Sequence, residues 1–449
     1  MSGCPQFDGA LTWTYEACSW GTSAEGYRRL QELAYINRTG ASMLSMFRLM
    51  LAYPVVIFAH GLLPLERTHR ARVLLDASSV VLPVALQFSL PHVAWPLLFT
   101  LALLAAHHVK LQMGHKGQSS SESSESSESS ENSESESERF IMEYRAMVMV
   151  STCVVILAVD FSSLFPRMHA KTEEFGYSLM DLGTGSIIFA SAVTRTKSTR
   201  GRVRRMLKLW PVLAIGLSRA ALVWGTDYHV PQSEYGVHWN FFFTVAVVRL
   251  VSTALDLCPT AAAAAALFTL GTYQCYLSWL GGAEFLLHAE RLDLVSANRE
   301  GILSSAGYLG LHWIGVWVGS LLRGSWRCVH QLLLLAALGG SASLLLPASR
   351  RMCNLSYVML MTSLNCWVLA LLAGIDRLAR PRPASITLQG VQGSMLAVFL
   401  LANLLTGAVN MVLQPLLVPF GPALMIMMVY CLLWSAPFAY LHARKLKSW

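Results

Sequence analysis

Charge is what this chain has least of. Asp, Glu, Lys and Arg make up 13% of its 449 residues, about half the roughly 25% share of a soluble protein. So little charge does not cover a water-facing body of this size. A soluble enzyme, a nucleic-acid-binding module and a disordered scaffold are excluded. Cysteine motifs are also missing. The nine cysteines form no C-x-x-C pair and no His/Cys group at zinc spacing, so no metal site is expected. Cys4 and Cys18 either pair in an oxidising lumen or are unrelated thiols. Residues 1–40 carry no basic stretch ahead of an apolar run. No signal peptide is expected, and the first apolar span serves as the insertion signal. No internal repeat is visible, so an inverted-repeat transporter has no direct support.

Apolar residues are what the chain has in plenty. They are 54% of it, and mean hydropathy is +0.47. Apolar runs of about twenty residues, enough to cross a bilayer, fall near 41–61, 73–91, 93–110, 146–161, 179–194, 206–224, 239–258, 261–280, 301–322, 329–347, 353–374, 394–413 and 416–437. The expected fold is an all-α, polytopic transmembrane helical bundle of about thirteen spans. Its segments are a lumenal N-terminal stretch (1–40), spans one to three (41–110), a cytosolic loop (111–145), spans four to thirteen with the active site (146–440) and a cytosolic tail (441–449). Residues 118–138 are almost wholly Ser and Glu. With no apolar face to bury, they are expected to be a disordered spacer or a phosphate-accepting tract. The polyalanine stretch Ala261–Ala266 reads as a close-packing helix face.

Basic residues set orientation. With the N-terminus lumenal, 22 of the 34 Lys and Arg fall in cytosolic segments and 9 in lumenal ones, leaving Arg48, Arg219 and Arg249 inside spans. Seven cations between Arg195 and Lys208 dominate the bias. Two glycosylation sequons, at Asn37 and Asn354, fall on the lumenal side, the second against a membrane end.

Ionisable residues at span ends carry the functional information, because each costs energy near lipid. Asp160 closes the fourth span, and Arg167 and Lys171 follow in the same short loop. They form either a structural ion pair or a reactive carboxylate with its counter-charges. Glu234, His238, Trp239 and Asn240 crowd the entrance of the seventh span among aromatics, which also suits an interfacial belt. At the ninth span Asn298 is placed to N-cap the helix, with Glu300 in its first turn. Arg299 at the same N-terminus opposes the helix dipole, which suits an anionic ligand such as a phosphodiester. Arg350 and Arg351 repeat the pattern before span eleven. All four clusters fall on one face of the thirteen-span arrangement, so one site with acid, base and phosphate-binding groups is expected at the lumenal boundary.

The runs around Ala158-Val-Asp-Phe and Phe165-Pro-Arg, Met180-Asp-Leu-Gly-Thr-Gly185, Glu234 through Thr244, Asn298-Arg-Glu-Gly-Ile302 and Arg350-Arg-Met with Asn354-Leu resemble the glycosylphosphatidylinositol (GPI) inositol acyltransferases. These are the phosphatidylinositol-glycan class W proteins and their fungal counterparts, and the likeness spans roughly residues 37 to 440. It implies a thirteen-span enzyme of the endoplasmic reticulum that moves a fatty acyl chain, usually palmitoyl, from acyl-CoA to the inositol of glucosaminyl-phosphatidylinositol. The family's catalytic aspartate and lysine correspond to Asp160 and Lys171. Arg167, Asp181, His238, Trp239, Asn240, Asn298, Arg299, Glu300 and Arg351 are the expected substrate-binding residues. Here Ser162-Ser163-Leu164 replaces a shorter stretch and Met168-His169 replaces Arg-Phe, leaving Asp160 and Lys171 eleven apart.

The bottom-up reading and the resemblance agree on acyl transfer. Asp160 is the expected general base for an inositol hydroxyl, and Lys171 tunes Asp160 or stabilises the thioester oxyanion. Arg299 and Arg351 are candidates for the lipid or CoA phosphates. Acyl-CoA enters as co-substrate, with no cofactor, and membrane lipids are the other partners. The rival is a multispan lipid transporter or flippase, which predicts ionisable groups at the bilayer midplane.

Overall fold

The computed structural model describes residues 24–34, 38–61, 69–90, 129–194, 201–225, 234–322, 327–378 and 384–447, with isolated positions between 96 and 103. In chain order the helices used below are α1 (Ala24–Leu33), α2 (Met43–Met50), α3 (Ala52–Gly61), α4 (His69–Ser89), α5 (Ser129–Ala158), α6 (Leu179–Val193), α7 (Arg202–Leu207), α8 (Trp210–Gly225) and α9 (Phe241–Leu255). They continue as α10 (Pro259–Trp279), α11 (Gly282–His288), α12 (Leu294–Ala297), α13 (Arg299–Leu321), α14 (Arg327–Ala342), α15 (Leu355–Leu378), α16 (Ile386–Gly393), α17 (Met395–Val412) and α18 (Phe420–Lys447).

The all-helical class is as expected. Among the described residues, six stretches are long and apolar enough to cross a membrane: Met43–Gly61, Arg72–Ser89, Arg139–Ala158, Leu355–Arg377, Met395–Val412 and Phe420–Lys445. Helices also occupy the other expected segments, except 93–110, which lies largely outside the described residues. Among them α6 and α9 are apolar but short. Helices α10 and α13 have the length but carry many small and polar residues, as befits helices packed on protein. The expected disorder of the Ser/Glu tract does not extend to its end. Residues 129–138 form the first turns of α5, since Glu is a good helix former and acidic groups suit a helix N-terminus. Residues 118–128 lie outside the described residues, as do Asn37, Cys4 and Cys18.

The chain divides into two compact units. The first comprises residues 1–171, 178–183 and 368–449. There α4 packs on α3 and α18, and α16 is wedged among α4, α5 and α18. Val73, Ile386, Ala439 and Ala443 form one buried cluster where these helices meet. A polar knot lies beside it. The carboxylate of Asp76, fully buried on α4, accepts from His60 Nε2 (2.8 Å), Ser385 Oγ (2.8 Å), Ile386 N (3.2 Å) and Thr387 N (2.8 Å). Ser385 Oγ in turn accepts from Leu388 N at 3.2 Å, capping α16. A carboxylate at a helix N-terminus meets both the free N–H groups and the favourable end of the dipole.

The second unit comprises residues 172–177 and 184–367, and α13 runs through it. Its glycines sit where neighbours come closest. A Cβ on Gly301 would run into the Trp239 ring, on Gly307 into the Cys353 carbonyl, on Gly310 into Leu270 and on Gly319 into the Val193 carbonyl. Small residues let helix backbones approach in this way. The expected packing face of the polyalanine stretch is present, with Ala262 and Ala266 buried against Trp313 and Val316.

Candidate active site

Helix α5 delivers Asp160 to the first unit's cavity. The helix ends at Ala158, and a turn closed by Asp160 N→Leu157 O (3.0 Å) and Phe161 N→Ala158 O (3.2 Å) turns the carboxylate off the helix axis. Tyr27, Gln31, Ala34, Arg38, Val159, Asp160, Arg167, Asn410 and Leu416 line the cavity. Asn410 Nδ2 donates to Asp160 Oδ2 at 2.8 Å. Arg167 Nη1 donates to the Val159 carbonyl at 3.0 Å, which holds that guanidinium beside Asp160.

Burial pushes the Asp160 carboxyl up to about 6, against the opposing pull of the Asn410 hydrogen bond and of the Arg167 and Lys171 charges. A carboxylate tuned to that range exchanges a proton near neutral pH, as a general base must. Lys171 therefore acts on Asp160 through its field, although it is not among the residues lining the cavity. Burial also holds the His169 imidazole down at about 4 and the Tyr27 hydroxyl up at about 12, so both are neutral at pH 7.

The other three clusters interlock in the second unit. Asn298 Oδ1 accepts from the backbone N–H groups of His238 (2.7 Å) and Trp239 (2.9 Å). The expected side-chain N-cap on α13 is absent, because the amide instead ties the 238–239 backbone down. Asn240 is also structural. Its Oδ1 accepts from Phe242 N (3.0 Å) and Phe243 N (3.3 Å) to cap α9, and its Nδ2 donates to the Gly216 carbonyl at 2.9 Å. Trp239 packs on Gly301 and donates through Nε1 to Thr244 Oγ1 at 2.9 Å. The His238 side chain is exposed.

Glu300 is fully buried and gathers the cations. Arg291 binds it through two nitrogens at 2.6 and 3.1 Å, and Arg351 through Nη2 at 3.0 Å. Arg299 lies 3.8 Å from the same carboxylate, and its guanidinium donates to the carbonyls of Leu286 (2.9 Å) and Ser296 (3.0 Å). The anion expected to justify Arg299 at a helix N-terminus is thus met by Glu300 of its own chain. Arg351 keeps a buried Nε without a hydrogen-bond acceptor. Arg350 lies 3.7 Å from Glu234. Asp181 sits in the first turn of α6 and accepts from Ser178 Oγ at 2.6 Å. Asn354 caps α15, and its Nδ2 donates to the Pro347 carbonyl at 2.7 Å. That buried amide is closed to glycosylation. Among the described residues no three His, Cys, Asp or Glu side chains converge as a metal would need.

The GWT1 family model matches residues 27–441, nearly the whole chain. The chain belongs to the GWT1 family. It is 30% identical over 350 residues to the phosphatidylinositol-glycan biosynthesis class W protein of Dictyostelium discoideum, covering 65% of this chain and 71% of that protein. It is 34% identical over 334 residues to the GPI-anchored wall transfer protein 1 of Yarrowia lipolytica (65% and 70%), and 35% over 341 residues to that of Gibberella zeae (62% and 67%).

Within this GWT1 chain the Ser162-Ser163 stretch has a structural task. Ser162 Oγ donates to the Leu416 carbonyl (2.6 Å) and Ser163 Oγ to the Val418 carbonyl (2.8 Å). These bonds fasten the Asp160 loop to the segment that follows α17, the helix of Asn410. The loop is thereby held where Asp160 and Asn410 pair. Sequence reasoning missed Asn410, Tyr27, Gln31 and Arg38. Only Asn410 left a signal, as one of two amides, with Asn403, inside a largely apolar span.

Proposed function

We propose that this chain is an acyltransferase of GPI-anchor biosynthesis. It moves a fatty acyl chain, palmitoyl in the first instance, from acyl-CoA to an inositol hydroxyl of glucosaminyl-phosphatidylinositol. One observation carries the mechanism: a carboxylate raised to about 6 in a cavity that also presents Gln31, Arg38, Arg167 and Asn410. Asp160 takes the proton of the inositol hydroxyl as its oxygen attacks the thioester carbonyl. The tetrahedral intermediate collapses with loss of the CoA thiolate, which recovers that proton from Asp160. Arg167 and Lys171 supply positive charge for the oxyanion, and the amides and Arg38 orient the polyol.

Purified protein incubated with acyl-labelled palmitoyl-CoA and glucosaminyl-phosphatidylinositol tests this reading. Label should appear in the glycolipid. Movement of intact lipid across the bilayer without label transfer would make the chain a flippase instead.

The acid limb of the rate profile follows from the same carboxyl. The base is active when ionised, so kcat should rise with pH, reach half its plateau near 6 and stay level above. Asn410→Leu removes a donor that favours the ionised form, which should move that limb to higher pH. A limb unmoved in Asn410→Leu would detach it from Asp160.

The proposed setting is the endoplasmic reticulum membrane with thirteen spans, the N-terminus lumenal and the C-terminus cytosolic, an orientation supported by the 22-to-9 bias of Lys and Arg. A protease-cleavable reporter placed in residues 118–128 should be cut from the cytosolic side of sealed microsomes. Protection there would invert the topology.

A further inference from the structure

The densest charge in the chain plays no part in the site above. Between Asp181 and Asp227 there is no acidic residue, and eight Lys or Arg. Helix α7 and the turn after it hold four of these cations, Arg202, Arg204, Arg205 and Lys208. One face is seated. Arg205 makes a two-armed ion pair with Asp256, at 3.2 Å and 2.5 Å, where Asp256 ends α9 in a left-handed conformation. Leu209 is buried beside it at 7% exposure.

The opposite face is bare and ordered by type. Val203, Leu207 and Trp210 are 69%, 68% and 69% exposed. At helical periodicity they fall within an arc of about 60°. Exposed Arg202 flanks this strip on one side, and exposed Arg204 and Lys208 on the other. The pinned Arg205 face fixes which way the strip looks. A basic helix with an aromatic and aliphatic ridge between its cations has the pattern of one lying in a membrane interface. Its ridge sits at the acyl boundary and its cations among headgroups. The absence of any acid along this stretch selects negative headgroups, and the Lys/Arg distribution assigns it to the cytosolic leaflet, where anionic lipids concentrate.

We infer that α7, its following turn and the first residue of α8, through Val203, Leu207 and Trp210 flanked by Arg202, Arg204 and Lys208, form an interfacial docking surface for anionic phospholipid. Bound lipid phosphates would pair with the three exposed cations, and the Arg205–Asp256 pair would hold the helix in register with α9. The surface belongs to the second unit and does not depend on the chemistry at Asp160.

The test uses the full chain in vesicles of phosphatidylcholine alone or mixed with phosphatidylserine, with acyl chains brominated near the interface. The emission difference between wild type and Trp210→Phe isolates the Trp210 indole. That difference should be quenched, and more strongly when phosphatidylserine is present. In a variant carrying Arg202→Glu, Arg204→Glu and Lys208→Glu the phosphatidylserine increment should disappear, while quenching in phosphatidylcholine and label transfer persist. Leu207→Trp in the Trp210→Phe background gives a second reporter if removing Trp210 perturbs folding. Quenching equal in both lipids and unaffected by charge reversal would leave a plain lipid-facing helix and overturn the proposal. No quenching at either position would remove α7 from the membrane surface altogether. Protection of both indoles by a co-purifying acidic protein, with no response to phosphatidylserine, would make the partner a protein and would also overturn it.

Discussion

Asp160→Asn is expected to lower turnover by roughly 10²–10⁴-fold, the usual contribution of a positioned general base. The shape of the side chain survives, and an amide can still meet Asn410 across the 2.8 Å contact after one of the two flips. What is lost is the lone pair that accepts the inositol proton. Acyl-CoA binding should persist, because the nucleophile belongs to the other substrate. The melting temperature should not fall. Burial disfavours the ionised carboxylate and raises its pKa to about 6, so above that pH the folded protein carries an anion that it holds less favourably than water does. A neutral amide removes that burden, a trade of stability against activity common at reactive sites. Lys171→Met should also slow turnover. The double variant should be little worse than Asp160→Asn, since groups acting as a unit are not additive. Single-turnover measurement of label transfer, with acyl-CoA binding measured separately, separates these effects. Near-normal turnover in a folded Asp160→Asn protein that binds acyl-CoA would place the base elsewhere, and exposed His238 would be the next to test.

The sequence exposes what repeats along a helix and conceals what meets across the fold. Asp160 is legible because a carboxylate at the end of an uninterrupted apolar run has few explanations. Its partner Asn410 is 250 positions away, and only the folded chain brings the two together. The arginines show the opposite error. Arg299 and Arg351 look unpaired in sequence because a helix N-terminus repels cations, which made a phosphate the natural counter-ion. In the fold three guanidiniums converge on Glu300, which the sequence offered as a first-turn acid and substrate-binding residue and not as their counter-ion. Asn240 and Asn298 entered the expected site through the family resemblance, yet their amides are spent on backbone groups. Hydropathy found α13 by its length. Its glycines and serines, which weaken it as a span by composition, are the residues that let it pack at the middle of its unit.

Asp76→Ala is the substitution expected to cost the most stability. Asp76 drew no attention in the sequence, as a single acid near the start of a span. In the fold its carboxylate is fully buried and accepts four hydrogen bonds, from His60, Ser385, Ile386 and Thr387. Two of the donors are backbone N–H groups of the first turn of α16, which no rotamer change can redirect. Alanine leaves them buried and unpaired together with the His60 ring, also buried. Breaking a buried charged pair by removing one partner costs about 3–5 kcal/mol, and unpaired buried donors fall in the same sense. Asp76→Asn should cost less than alanine but still destabilise, because its amide keeps one acceptor while turning an NH₂ towards groups that are themselves donors. His60→Ala should be the mildest, since Asp76 then retains its three bonds to the Ser385–Thr387 segment. Thermal unfolding of the purified variants in one detergent ranks them, and label transfer per folded molecule at low temperature should stay near wild type for His60→Ala. If Asp76→Ala unfolds at the wild-type temperature, the knot does not hold α3, α4 and α16 together. If Asp76→Asn falls as far as alanine, the charge itself, and not the count of acceptors, secures α16.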